Sequence, residues 1–152
     1  MNAIKGAFSI STDPSRLDVR FIHDYLSKES YWATGMPMEK LVTAVEHSMN
    51  FGLYHGDRQI GYARIVTDYS RVAYLADVFV IGEYRGQGLA KWLVGEIMRC
   101  PELQGLRRWM LHTKDAHGLY AQLGWSAPTK PETYLERYNP AQEWWLDWEE
   151  GG

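Results

Sequence analysis

The first third of the chain carries apolar residues mostly at helical spacing. A short apolar segment at 8–11 predicts a strand, which a polar turn follows. Residues 15–26 then place apolar positions three and four apart, which predicts an amphipathic helix. A glycine and a proline break the pattern over 30–37, and a new stripe over 41–49 predicts a second helix. Two helices are therefore expected after one short strand.

The middle of the chain follows a strand-like pattern instead. Residues 51–55 and 59–67 are separated by a short polar turn, so they predict a hairpin. Residues 72–81 are almost continuously apolar, which is typical of a central strand covered on both faces. The stretch EYRGQGLAKW at 83–92 then joins this strand to a helical pattern that reaches Arg99.

The last elements complete an α+β order. Residues 107–112 predict a strand, 115–124 a short helix closed by a glycine, and 133–138 a final strand. The predicted sheet is mixed and mostly antiparallel, with one crossover through a helix. Residues 1–139 are expected to form one domain. Residues 140–152 form a tail with three tryptophans and four acids, which packs either on the domain or on a partner chain, so a homodimer stays open.

Composition narrows the class of protein. With 152 residues, 45% hydrophobic and 23% charged, the chain fits one globular domain. A net charge of -3 provides no broad attraction for nucleic acid or an anionic membrane, so neither is expected as a partner. Cys100 is the only cysteine, which fits a reducing compartment, and we expect a cytoplasmic protein. The five histidines are scattered, so no metal site is predicted.

The stretch between the apolar strand and the following helix has the properties of a phosphate cradle. Gly86 and Gly88 allow the backbone to turn sharply and keep β-carbons away from a ligand. The first amides of a helix have no partner within the helix, and they attract an anion. Arg85 and Lys91 would add charge at the rim. A ligand-free turn is the alternative, while the Walker and dinucleotide patterns fit worse because no Lys-Ser/Thr pair and no third glycine follow.

Two motifs resemble those of the GCN5-related N-acetyltransferase (GNAT) family. R-G-Q-G-L-A at 85–90 resembles its Q/R-x-x-G-x-G/A signature, after an apolar strand and before a helix. L-Y-A-Q-L-G-W at 119–125 resembles its second signature, Tyr-x-x-x-Gly-Phe/Trp. The resemblance extends over 8–138. It implies a three-layer α/β/α fold whose sheet is splayed at the cofactor site, with acetyl-CoA as co-substrate.

The resemblance also implies roles for individual residues. Tyr120 would protonate the departing thiolate, and the backbone of the 78–80 segment would pair with the pantetheine arm. The family often has an asparagine where this chain has Thr113. This difference affects only a contact to the pantetheine arm and leaves the expected pyrophosphate site unchanged. The residues expected to contact the cofactor are Val78, Phe79, Val80, Arg85, Gly86, Gln87, Gly88, Leu89, Ala90 and Lys91.

The acceptor side is less determined by the sequence. A primary amine, on a small molecule or a peptide, would attack directly in a ternary complex, and a base must take its proton. Asp77 within the apolar strand is a candidate base, or alternatively it binds the substrate's ammonium group or is simply hydrogen-bonded. His112 or a water chain are the other candidates.

Aromatic residues of the first helix and its connector suggest an acceptor pocket. Tyr25, Tyr31 and Trp32 would form an aromatic wall for the amine, or would pack as ordinary core residues. Two other functions stay open at this point. One is a non-catalytic module that binds coenzyme A as a sensor or interaction partner, and the other is a nucleotide-binding protein.

Overall fold

A computed structural model describes residues 1–142 of the chain. Its sheet has six strands in the spatial order β1-β2-β3-β4-β5-β6. The first five strands pair antiparallel with their neighbours, whereas β5 and β6 are parallel. The mixed, mostly antiparallel sheet predicted from the sequence is thereby confirmed. The strands are β1 (Asn2–Lys5), β2 (Phe8–Ser11), β3 (Met49–His55), β4 (Arg58–Thr67), β5 (Val72–Val80) and β6 (Arg108–Met110).

In the described part of the chain, four α-helices connect and cover these strands. Two of them, α1 (Val19–Lys28) and α2 (Met38–Glu46), follow β2. The third, α3 (Leu89–Met98), makes the crossover from β5 to β6, and α4 (His117–Ala121) follows β6. The parallel pairing of β5 with β6 requires such a crossover.

The helices lie in two layers because the sheet buries both faces. On one face α1 and α2 pack on the sheet, and on the other face α3 and α4 do so. Alternate positions of β4 and β5 therefore belong to different cores. The core under α1 and α2 contains Ile22, Tyr25, Leu26, Leu41, Tyr62 and Phe79. The core under α3 and α4 includes Leu53, Ala63, Leu75, Val80, Leu93, Ile97 and Tyr120. This is the three-layer arrangement that was expected.

The predicted strand at 133–138 is wrong. A 3-10 turn occupies Pro131–Thr133, and the segment after it lies outside the sheet. Leu135 is 97% exposed, so its apolar side chain contributes nothing to the core. A strand needs a neighbour that satisfies its backbone groups, and β6 is only three residues long.

Several predicted boundaries also shift, and one strand was not predicted. The first helix begins at Val19 because the Asp18 carboxylate caps it by accepting the Phe21 amide at 3.0 Å. The second helix ends before Met49, which opens β3. The unpredicted strand β1 pairs along the whole of β2. The predicted tail at 140–152 lies outside the described residues apart from Pro140–Gln142.

The sheet opens between β5 and β6. Only Val72–Tyr74 of β5 pairs with β6, so within residues 1–142 the rest of β5 has no strand on that side. Asp77 has a φ of 55°, and the pairing with β4 shifts there, so that two β5 residues lie opposite Ala63 alone. Such a bulge bends a strand and redirects its side chains. None of the helices within residues 1–142 has the length and apolar character needed to cross a bilayer.

Candidate active site

The open edge of β5 exposes only alternate backbone groups. Ile81 donates its amide to the Ile60 carbonyl on β4 at 3.0 Å. Because backbone groups alternate along a strand, Phe79 also faces β4, while Val78 and Val80 face the open edge. Of the three residues expected to pair with an extended ligand, the geometry therefore makes Val78 and Val80 available and engages Phe79 in the sheet.

The turn between β5 and α3 leaves a row of backbone amides without partners. Gly86 and Gly88 have φ values of 80° and 74°, in the left-handed region that favours glycine. A β-carbon at either position would have no atom within 4 Å, so the space above the turn is open. Within the described residues, none of the six amides from Gly86 to Lys91 donates a hydrogen bond, whereas Trp92 donates to the Gly88 carbonyl at 3.0 Å. This arrangement is suited to an anion.

The two cations expected at the rim of this turn are both engaged by the protein. Arg85 donates from Nε to the Val80 carbonyl at 3.0 Å and from Nη2 to the Tyr25 hydroxyl at 2.7 Å. Lys91 donates from Nζ to Gln122 Oε1 at 3.0 Å, which joins the start of α3 to the end of α4. The groups that remain available to an anion at this turn are therefore mainly backbone amides.

One cavity brings together most of the residues predicted for catalysis and for the acceptor. Its volume is about 570 Å³, and it lies between the α1–α2 connector, β5 and the segment leading into α4. The predicted residues that line it are Tyr31, Trp32, Asp77, Val78, His112, Thr113 and Tyr120. Within the described residues no three metal-ligating side chains cluster, here or elsewhere.

Tyr25 does not share this cavity with Tyr31 and Trp32. Its ring stacks on Phe79, with centroids 3.9 Å apart and planes 8° from parallel. It lines a separate cavity of about 360 Å³ together with Arg58 and other residues. The expected three-residue aromatic wall is therefore wrong for Tyr25, because α1 turns this residue toward the sheet and Arg85.

Asp77 is held in place by two donors. Arg64 donates from Nε to its Oδ2 at 2.6 Å, and the Trp32 indole donates from Nε1 to its Oδ1 at 2.9 Å. Arg64 also donates from Nη1 to Ser48 Oγ at 3.2 Å. Both side chains of the ion pair are mostly buried. Arg64 was not predicted from the sequence, because its contact with Asp77 depends on the bulge that shifts the register of β5.

Tyr120 reaches the cavity from α4 as a largely buried side chain. Burial raises the pKa of its hydroxyl to about 12, and the neighbouring Tyr31 adds to this effect. Within the described residues the hydroxyl makes no hydrogen bond, so it can donate to a ligand. Trp125 packs against the ring edge, with centroids 5.9 Å apart. Thr113 accepts the Ala116 amide through Oγ1 at 3.0 Å and orders the chain before α4.

Two pairs of residues on the cavity wall make contacts that were not predicted from the sequence. The Lys114 amide donates to the Tyr31 hydroxyl at 2.9 Å, and its ammonium lies 5.5 Å from the centre of the Tyr31 ring. The Tyr74 hydroxyl lies 2.9 Å from His112 Nδ1. The sequence signals for this wall were Tyr31 and Trp32 in the α1–α2 connector and His112. The partner of Tyr31 lies in the loop after β6, and the partner of His112 lies on β5.

Cys100 lies away from this cavity. It is buried near the C-terminal end of α3, where its thiol donates to Glu102 Oε2 at 2.9 Å. Burial raises the pKa of the Cys100 thiol to about 11. A buried thiol that remains protonated is a poor nucleophile.

The chain is similar in sequence and fold to proteins of one acetyltransferase family. The family model described as Acetyltransferase (GNAT) family matches residues 9–125. A protein of Gibberella zeae that carries the provisional name acetyltransferase is 32% identical in an alignment 143 residues long, and the match covers 80% of this chain and 80% of its own. A solved structure from Xanthomonas campestris pv. campestris, provisionally assigned to the GNAT acetyltransferases, is 45% identical with a TM-score of 0.86, covering 90% of this chain and 96% of its own.

A more distant structure shares the fold alone. AAC(6')-Iy, solved with a bisubstrate analogue of coenzyme A and acetylneamine, is 19% identical with a TM-score of 0.63 and covers 87% of this chain and 97% of its own. The family match, the relatives and the splayed sheet agree with one another. The chain belongs to the GNAT acetyltransferase family, which implies acetyl transfer from acetyl-CoA.

Proposed function

We propose that this protein is an N-acetyltransferase that transfers the acetyl group of acetyl-CoA to a primary amine by direct attack in a ternary complex. One observation carries the proposal. The open edge of β5 runs from the glycine turn to the cavity that contains Tyr120 and Asp77. A cofactor anchored by its phosphates at the turn would thus present its thioester beside a hydroxyl donor and a carboxylate.

The turn fits the pyrophosphate of acetyl-CoA. Amides without partners, left-handed glycines and open space above them are the features that an anion requires. The side chain of Arg85 would hold the turn by its two bonds to the protein, while the amides from Gly86 to Lys91 would contact the phosphates. The pantetheine arm would pair with Val78 and Val80 at the open edge of β5, where a further strand would otherwise lie.

The thioester oxygen needs a donor when the amine attacks, because negative charge develops there. The Val80 carbonyl already accepts Arg85, which fixes this end of β5. A backbone amide of the open edge near Val80 would then be preorganised to stabilise the developing charge. Removing one such donor typically costs about 10²–10³-fold in kcat.

Tyr120 is proposed to assist the departing sulfur as a hydrogen-bond donor. The bond that breaks joins the acetyl carbon to sulfur, and a thiolate develops on the sulfur. Burial raises the pKa of Tyr120 to about 12. The ordinary pKa of a thiol is about 8.5, so full proton transfer from Tyr120 would be uphill by about 5 kcal/mol. Donation of a hydrogen bond lowers the barrier without this cost.

The amine is proposed to enter on the Asp77 side of the cavity. A carboxylate that already accepts from Arg64 and Trp32 is better suited to hold an ammonium group than to remove its proton. The proton would leave to His112, which lines the same cavity, or to a water chain. The buried, protonated thiol of Cys100 supports direct attack over an acyl-enzyme route.

A thiol-release assay with acetyl-CoA and a panel of primary amines tests the proposal. Turnover that requires the amine, with an N-acetylated product identified by mass spectrometry, supports it. Binding of coenzyme A in calorimetry without turnover of any amine would instead support a non-catalytic coenzyme A-binding module. Thermal stabilisation by ATP or NAD but not by acetyl-CoA would overturn the cofactor assignment itself.

A further inference from the structure

The charged side chains that line the cavity balance one another. Within the described residues these are Arg64 and Lys114 on the positive side and Asp77 and Asp115 on the negative side, beside one histidine. Arg64 and Asp77 are paired at 2.6 Å, with only 20% and 10% of their side chains exposed. A cavity with paired charges has no net field that concentrates a polycation.

Aromatic side chains supply much of the remaining lining. Tyr31 and Trp32 pack edge to face with centroids 5.0 Å apart, and Tyr74 lies beside His112. Trp32 has a single polar group, and its donation to Asp77 leaves the rest of the ring as apolar surface. These rings offer stacking and edge contacts to another ring.

Asp77 retains capacity for further donors. A carboxylate offers about four lone-pair positions. Arg64 and Trp32 each use one of them. An amine could therefore donate to Asp77 next to the ring of Trp32. The arrangement places one polar anchor against an aromatic surface.

We infer, on the basis of the proposed N-acetyltransferase function, that the acceptor is a small molecule with one primary amine and one aromatic ring. The amine lies at Asp77 and the ring packs against Tyr31 and Trp32. Polyamines and aminoglycoside-like acceptors are poor substrates, because the described lining offers their additional ammonium groups no unpaired cluster of carboxylates. The same chemistry occurs in arylalkylamines and in aromatic amino acids, and the experiment separates them.

Steady-state acetylation of four amines tests the inference. The amines are 2-phenylethylamine, 2-cyclohexylethylamine, phenylalanine and spermidine. Of 2-phenylethylamine and phenylalanine, we expect the better substrate to have a kcat/KM about tenfold higher than that of 2-cyclohexylethylamine. This factor corresponds to the free energy of one good aromatic contact. A higher value for phenylalanine identifies amino acids as the source, and a higher value for 2-phenylethylamine identifies arylalkylamines. A cyclohexyl amine that reacts equally well, or spermidine reacting best, overturns the inference.

Three variants localise the ring contact. Tyr31→Leu should reduce the phenyl-to-cyclohexyl ratio severalfold, whereas Tyr31→Phe keeps the ring and should retain the ratio. Tyr134→Leu is the matched control, because Tyr134 is 44% exposed and Tyr31 is 45% exposed. Each ring also has a cation nearby: Arg108 lies 5.9 Å from the centre of the Tyr134 ring, and Lys114 lies 5.5 Å from the centre of the Tyr31 ring. Tyr134 lies outside the cavity lining, and its replacement should change nothing. An unchanged ratio in Tyr31→Leu contradicts the assignment.

Binding of coenzyme A, measured by calorimetry on the same preparations, separates two kinds of failure. Turnover of amines without a phenyl preference would overturn only the acceptor class. Intact coenzyme A binding with no turnover of any of the four amines or of a wider primary-amine panel would overturn the N-acetyltransferase function, and the acceptor class with it.

Discussion

Arg85 and Tyr25 join the glycine turn to the opposite layer of the fold. Arg85 Nη2 donates to the Tyr25 hydroxyl at 2.7 Å, while its Nε donates to the Val80 carbonyl at 3.0 Å. The Tyr25 ring is fixed in turn by stacking on Phe79. A tyrosine of α1 thus positions the first residue of the signature motif, although α1 and the helix α3 that follows the turn lie on different faces of the sheet.

Tyr25→Phe should weaken cofactor binding while leaving chemistry nearly unchanged. The variant keeps the ring stack and removes one bond to Arg85, so the turn loses a restraint worth about 1 kcal/mol. We expect KM for acetyl-CoA to rise about fivefold with kcat within a factor of two. Steady-state kinetics with varied acetyl-CoA measure both. Tyr62→Phe removes a hydroxyl that donates to Asn50 in the same core, and it serves as the control for general destabilisation. A fall in kcat at unchanged KM would contradict this role.

Gly88→Ala should lose affinity for coenzyme A beyond what backbone strain explains. Gly88 and Gly56 have φ values of 74° and 59°, and a β-carbon at either has open space. Alanine costs about 1–2 kcal/mol of stability at each position. Only Gly88 borders the amides of the turn. Calorimetry should therefore show at least about tenfold weaker binding of coenzyme A to Gly88→Ala, and unchanged binding to Gly56→Ala. Gly88→Glu, which adds a negative charge, should abolish binding. Equal affinities of the two alanine variants would place the phosphates elsewhere.

The glycine turn and its unpaired amides could be predicted from sequence because their determinants are local. Left-handed glycines, unpaired helix amides and the strand before them all belong to one continuous stretch. The acceptor side could not, because the contact between Arg64 and Asp77 depends on a one-residue bulge between two strands. Tyr25 was misplaced for a similar reason: helical spacing identifies the buried face of α1 but not which cavity that face adjoins.

Tyr120→Phe should lower kcat by about 10²-fold with little change in KM for acetyl-CoA, because the lost hydrogen bond forms only as the sulfur leaves. Removing one hydroxyl leaves the ring contact with Trp125 in place. Tyr54→Phe is a suitable control, since burial also raises the pKa of Tyr54 to about 12 and Tyr54 lies outside the cavity lining. A Tyr120→Phe enzyme of normal kcat would remove Tyr120 from the mechanism.

The pH dependence of this defect has a definite sign. Since the pKa of Tyr120 is raised to about 12, its hydroxyl is protonated below that pH and is lost as a donor only above it. An unperturbed tyrosine would already ionise near pH 10. The ratio of wild-type to Tyr120→Phe kcat should therefore stay constant between about pH 7 and pH 10. A ratio that falls toward one within this range would mean that Tyr120 ionises earlier.

Tyr54→Phe should stabilise the fold. Tyr54 is 1% exposed, and its hydroxyl has no hydrogen-bond partner within the described residues. A buried hydroxyl without a partner costs more than the apolar ring alone, so its removal should raise the free energy of unfolding by about 1 kcal/mol. Urea denaturation at neutral pH measures the change. Tyr62→Phe, which removes a paired hydroxyl, should change stability in the opposite direction. A destabilised Tyr54→Phe would show that the hydroxyl has a partner after all.

Asp77→Asn should impair amine binding more than the chemical step. Asparagine tolerates the φ of 55° at this position and can still accept from Trp32, so the variant removes mainly the charge. We expect KM for the amine to rise about tenfold, since hydrogen bonds to charged groups are worth about 1.5–3 kcal/mol. The acid limb of the kcat/KM profile should persist, because another group takes the proton.

Asp77→Ala separates charge from backbone conformation. Alanine removes the same charge but also tolerates the left-handed backbone poorly, so it should lose additional stability in thermal unfolding. If the two variants share the same KM for the amine, the charge is responsible for binding. If Asp77→Asn instead lowers kcat by 10² or more at saturating amine and abolishes the acid limb, Asp77 is the proton acceptor and the ammonium-binding role is wrong.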